Sequence, residues 1–157
     1  MRHRARVGDV FRVPAAEGEW AFGQVVDQAG PQHLVVIFSA TSGSVGEVLA
    51  STVQLAGIVF DAKLRNGDWP IVANLPPVPV RRPWFILGHE DLGDLRLESF
   101  DGTETRPAAP GDVGRHRHRT ISSPMALQWA VEATHGRREW IPELEPYRRL
   151  AVELGGG

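Results

Sequence analysis

The sequence predicts an α+β fold: a mainly antiparallel, strongly bent sheet or small open barrel with one C-terminal helix packed on it. Three observations point there. Apolar runs of strand length recur from Val7 to Phe60, separated by Gly, Pro and polar turns. An Asp-Gly dipeptide, Asp101-Gly102, sits between two further strand-length runs, as in a hairpin. One segment near the C-terminus, opened by Ser123-Pro124, carries helical signals instead.

Val7 to Val13 reads as the first strand, with Asp9, Phe11 and Val13 on one face; Pro14 ends it. Trp20 to Val26 follows after a turn, with Gly23 facing away from Trp20, Phe22, Gln24 and Val26 and allowing close backbone approach, and the two strands form a hairpin. His33 to Phe38 is continuously apolar and rich in β-branched residues, which predicts a central strand buried on both faces. Thr41 to Gly46 is loop by composition and Glu47 to Ala50 a turn or two of helix. Val53 to Phe60 is a strand in which Ala56-Gly57 marks a bulge or tight bend.

Between Phe60 and Asn74 the chain reads FDAKLRNGDWPIVAN. Asp61 is placed to cap a short helical turn over Ala62 to Arg65, and Asn66-Gly67 to end it with left-handed residues. Leu75 to Pro83 holds four prolines and predicts an extended surface crossing within one domain spanning 1–157. Trp84 to Leu87 is a short strand, and Leu95 to Phe100 pairs with Thr103 to Arg106 through a type I′ turn at Asp101-Gly102. Pro107 to Arg119 has little core-forming content and reads as a mobile loop or an edge. From Met125 to His135 the polar residues Gln128, Glu132 and His135 form one narrow stripe, read as the solvent side of a helix otherwise buried and ended by Gly136. Trp140, Ile141, Pro142 and Tyr147 pack the tail back, and Gly155 to Gly157 are expected to be disordered.

Composition narrows the chemistry. The chain has 157 residues, enough to bury about 68–70% of the unfolded surface in one domain. It has no cysteine, which excludes disulfides, thiolate metal sites and cysteine nucleophiles. The basic N-terminus lacks the apolar run of about 7 or more residues that a secretory signal needs, and no stretch approaches about 18 consecutive apolar residues, so a cytoplasmic location away from the membrane is expected. Arginine outnumbers lysine 16 to 1, a bias better attributed to GC-rich coding than to arginine chemistry. No nucleophile elbow, HExxH, phosphate-binding glycine loop or dinucleotide fingerprint occurs, so neither catalysis nor a cofactor is expected.

The net charge of −2 hides an asymmetry. Gly88 to Glu104 holds six acids against Arg96, whereas Arg106 to Arg119 holds four arginines against Asp112. The acidic segment reads as a surface for a basic partner or as a solvated hairpin face. The alternating run Arg115 to Arg119 reads as an exposed loop or edge. Phosphate contact, or metal ligation through His116 and His118, is the functional alternative, but two imidazoles without a third ligand make a poor site.

Three of these stretches carry a resemblance. GDVFRVP (Gly8 to Pro14), WAFGQVV (Trp20 to Val26) and the Gly-x-Trp-x-x-x-x-Asn spacing from Gly67 to Asn74 resemble the immunity protein 26 family of bacterial polymorphic toxin systems, and SSPMALQWAVEATHG is similar to the helix that follows in such proteins. Ala73 stands where the family is expected to have glycine, and Thr41 to Gly46 and the PAAPGDVGRHRHR segment look particular to this chain. The resemblance implies an open barrel of SH3-like type and a cytoplasmic, non-catalytic protein that binds and neutralises a cognate toxin domain. Immunity proteins recognise different toxins through surfaces that diverge, so it transfers no binding site. Charge then nominates the partner contacts: Asp61, Arg65 and Asp68 on the connector, and Glu90, Asp91, Asp94 and Glu98 in the acidic segment, whose carboxylates would mimic phosphates if the toxin is a nuclease. The alternative function is a small nucleic-acid-binding barrel using Arg115 to Arg119 and exposed tryptophans.

Overall fold

A computed structural model describes residues 4–89 and 93–155. Five antiparallel strands make the first sheet: β1 (Asp9–Pro14), β2 (Trp20–Ala29), β3 (Gln32–Phe38), β4 (Val53–Val59) and β5 (Ile71–Asn74), in the order β4-β3-β2-β1-β5. Four shorter strands make the second: β6 (Trp84–Leu87), β7 (Arg96–Ser99), β8 (Thr105–Pro107) and β9 (Arg117–His118), in the order β8-β7-β6-β9, with β9 parallel to β6. Neither sheet closes on itself; β4 and β5 are the edges of the first. The helices are α1 (Val45–Leu49), α2 (Ala62–Arg65), α3 (Asp112–Arg115), α4 (Pro124–Thr134) and α5 (Glu145–Gly155). The expected α+β architecture is therefore present, with strands in mainly antiparallel sheets and a C-terminal helix against them.

Strand period 2 explains why HLVVIF is apolar throughout. Val35 and Ile37 join the cluster under α4 with Phe11, Leu127 and Val131, while Leu34, Val36 and Phe38 join the opposite cluster with Phe85, Phe100 and Leu154. The first sheet is thus the middle layer, covered by α4 on one face and by the second sheet and part of α5 on the other. β3 is buried on both faces as expected but lies second from the edge; β2 holds the central position.

Several local expectations are corrected. Gly57 is not a bulge: it pairs in register with Val35, and its missing side chain makes room for Tyr147, whose ring carbons lie 3.3 Å from where a Cβ would stand. The loop at Asp101-Gly102 is not type I′, because only Gly102 has a positive φ. Asp61 makes no side-chain cap on α2 and faces Arg65 instead, at 3.9 Å; of Asn66-Gly67 only the glycine is left-handed. Of the two readings of Pro107 to Arg119, loop or edge, the edge holds in part: the segment carries the edge strand β9, and α3 before it was not expected. Gly155 is the last residue of α5, and the expectation for Gly156 and Gly157 lies outside the described residues.

The helices hold the largest departures. Ser123 caps α4 as expected, its hydroxyl accepting from the Met125 amide, with Pro124 in the first turn. The polar stripe, however, does not face solvent. Glu132 is buried and Gln128 half-buried, while Trp129 stands exposed under the Arg138 guanidinium. Past Trp140 the tail is a second long helix, α5, which packs along the edge strand β4 through Tyr147, Ala151 and Leu154.

Candidate partner-binding surfaces

The three resembling stretches meet at one place. Phe11 from β1 stacks on Trp69 with ring centroids 5.5 Å apart and planes within 5°. The Asn74 amide donates to Asp9 Oδ1 at 2.9 Å and to the Val7 carbonyl. Gln24, fully buried, donates to the carbonyls of Gly8, Leu75 and Pro76 and accepts from the Val78 amide, fastening the proline segment to β2. Gly8 has φ +94°, and a Cβ there would stand 2.5 Å from the Leu75 carbonyl oxygen. Phe11, Gln24 and Trp69 are buried couplings of the fold, while Asn74 makes its bonds from an exposed position on the edge strand β5.

Trp69 also anchors the second element of this core. Its indole N–H donates to Gln128 Oε1 at 3.0 Å, Gln128 donates to Glu132, and Glu132 Oε2 accepts from Arg138 at 3.1 Å. That relay explains the inward turn of Gln128 and Glu132, each of which finds partners, whereas His135 Nε2 is buried without one.

The connector around α2 brings Asp61 and Arg65 together on the wall of a cleft of about 270 Å³, which they share with Arg4, Gln28 and His33. His33 is buried, with both ring nitrogens lacking a protein partner. Asp68 lies outside this cleft, paired with Lys63 at 2.9 Å; that ammonium and its hydrogen bond hold the Asp68 carboxyl below its ordinary range. Asp61, Arg65 and Asp68 therefore share one corner of the fold without forming a single site.

Among the described acids of the acidic segment, Asp94, Asp101 and Glu104 are exposed and Glu98 is half-buried, but each is engaged by a group of the chain itself. Asp94 accepts from the His89 amide at 2.8 Å and closes a turn. Glu98 pairs with Arg119 at 3.1 Å, and Asp101 and Glu104 both pair with Arg82. Glu90 and Asp91 lie outside the described residues.

Arg119, the last residue of the Arg/His run, is a structural clamp that the sequence did not single out. Its Nη2 donates to Glu98 and to the carbonyls of Ser99 and Phe100, and its Nη1 donates to Gln32 of β3. The guanidinium also lies over Phe85 and Phe100, at 4.8 and 5.3 Å. One side chain thus ties the second sheet to the first. His116 faces Glu153 of α5 at 3.2 Å, and among the described residues no cluster of three or more His, Cys, Asp or Glu side chains is grouped to hold a metal ion.

Comparison with known proteins identifies a family. Residues 6–90, more than half of the chain and all three resembling stretches, match the family model described as Immunity protein 26. No curated protein and no solved structure matches the chain.

Proposed function

The chain belongs to the immunity protein 26 family, and from that premise we propose that it is a cytoplasmic bacterial protein that binds a cognate toxin domain and blocks it stoichiometrically, without chemistry of its own. The family match over residues 6–90 carries this reading. The geometry supports it in one respect. The family-like residues Phe11, Gln24 and Trp69 are buried, and Asn74, though exposed, is tied by its amide to Asp9 and Val7, so the scaffold leaves its other outer faces free to vary with the toxin. The connector corner with Asp61, Arg65 and Asp68 is one such face, and Asp94 and Glu98 border another.

Affinity in such a complex comes from a few desolvated anchors ringed by charge, not from area alone. The test is co-expression with the toxin domain encoded beside this chain. Restored growth and recovery of both proteins as one complex are expected. Toxicity that persists, with no complex recovered, contradicts the reading.

A further inference from the structure

Between the α3–β9 segment and α5 lies an open concave surface of about 860 Å³. Five arginines reach it from three separate parts of the chain: Arg81 from the proline segment, Arg115 and Arg117 from the Arg/His run, and Arg148 and Arg149 from α5. Arg81 is brought there by its own backbone, whose N–H donates to the Leu154 carbonyl at 2.8 Å. In a protein whose net charge is −2, this is a local concentration of positive charge.

The two acids on this surface do not neutralise it. Glu153 faces His116, and Glu145 faces Arg148 at 3.7 Å. Arg81, Arg115 and Arg149 form no ion pair among the described residues. Arg117 is partly desolvated and sits in the field of Arg149, which make its charge harder to hold, and Glu153 and Glu145 offset part of this. Five arginines against two acids leave this surface an excess of positive charge, which an anionic surface laid across it would complement.

Apolar groups decide which kind of anion fits. Val113 is 47% exposed and Val152 58%, and both open onto the same surface. Val152 continues into a neighbouring groove along β4 and α5, which it shares with Val53, Leu55 and Ala151. Exposed aliphatic side chains beside arginines, a residue type enriched in protein interfaces, suit a protein partner. No Phe, Tyr or Trp lines the cleft to stack a base, as single-strand binders require.

We propose that this face is the toxin-docking surface, and that it receives an acidic patch of the toxin with an apolar side chain seated over Val152. The inference rests on the toxin-binding reading above. It places most of the contact on α5 and the Arg/His run, outside the span matched by the family model, with Arg81 contributed from within that span.

The test uses the full chain and the purified toxin domain encoded beside it, with binding rates measured at about 50 and 500 mM salt. Wild type should associate faster at low salt. R115E/R149E should bind about 100-fold or more weakly, with at least about a tenfold slower association at low salt, while V152D should raise the dissociation rate. All substituted side chains are exposed, so circular dichroism should be unchanged, and R149Q alone should melt no lower than wild type because it removes a like-charge neighbour of Arg117. Undiminished binding by R115E/R149E overturns the docking surface while leaving toxin binding intact. Failure of wild type to bind the toxin overturns the toxin-binding reading itself, and this inference with it. Tight binding of a 20-nucleotide single-stranded DNA or RNA probe that R115E/R149E abolishes, with toxin binding retained, assigns the face to nucleic acid and overturns the proposal.

Discussion

The rings of Phe11 and Trp69 lie face to face, 5.5 Å apart and 5° from parallel, and join the first strand to the loop after α2 across nearly sixty residues of sequence. Trp69 is 1% exposed and gives its N–H to Gln128, so this one side chain holds strand, loop and helix together. Trp69→Ala should cost about 3–5 kcal/mol in urea unfolding through the cavity it leaves. Trp69→Phe keeps most of the stack but strands Gln128 Oε1, and should cost about 1–3 kcal/mol. A loss below 1 kcal/mol for the alanine variant would mean the loop is not coupled to the core.

Gly23 is a second test of the same core. Its φ is ordinary, so backbone strain is not the issue; a Cβ would stand 2.5 Å from the Phe11 ring and 2.8 Å from the Val36 carbonyl. Gly23→Ala should destabilise by about 2–3 kcal/mol through overpacking. Gly57→Ala meets Tyr147 at 3.3 Å, a lesser crowding, and should cost less. Thermal melts of the two variants side by side check the order.

Arg119→Ala should lower stability by about 2–4 kcal/mol, because Glu98, Gln32 and two carbonyls lose their donor at a site where the side chain is only 19% exposed. Arg119→Lys should recover little, since an ammonium cannot fork across these acceptors or lie flat on Phe85 and Phe100. The β6–β9 region should exchange amide hydrogens faster in both variants than in wild type.

Asp101 gives a pH signature. The side chain and amide of Thr103, the Ser99 hydroxyl and then Arg82 hold its carboxyl well below the usual carboxylate range. A folded-state pKa below the unfolded value of about 3.9 means that the stabilisation is present above pH ~4 and fades as pH falls further, when the folded state must also bind the proton. Asp101→Asn should therefore melt below wild type at pH 6, and the gap should narrow towards pH 3. A gap that stays constant over that range would show that the carboxylate charge contributes nothing.

How far the sequence could be read depends on whether each feature is local. Period-2 alternation and the Ser123-Pro124 cap are properties of neighbouring residues, and β1 to β4 and the start of α4 came through nearly in place. The orientation of α4 did not, because Gln128 and Glu132 look like a solvent stripe until Trp69 and Arg138 arrive from elsewhere to satisfy them. In α5, Tyr147, Leu150, Ala151 and Leu154 fall at helical spacing, so the signal was present but masked by Pro146 and the flanking charges. The parallel pairing of β9 with β6 has no local signature at all. Charge was the least legible. Glu98 looks like a free contact in the linear sequence and is an internal partner of Arg119, whereas the basic face exists only once positions 81, 115–117 and 148–149 are folded together.

The measurement that bears most directly on the account is an in vitro titration of the purified toxin domain, its activity followed as this chain is added. A stoichiometric inhibitor predicts activity falling linearly to near zero at one equivalent, with toxin of unchanged mass recovered when the complex is separated. Full activity at a tenfold excess would contradict binding. Complete inactivation at far below one equivalent, with a lasting change in the toxin's mass, would instead show that the chain acts as an enzyme.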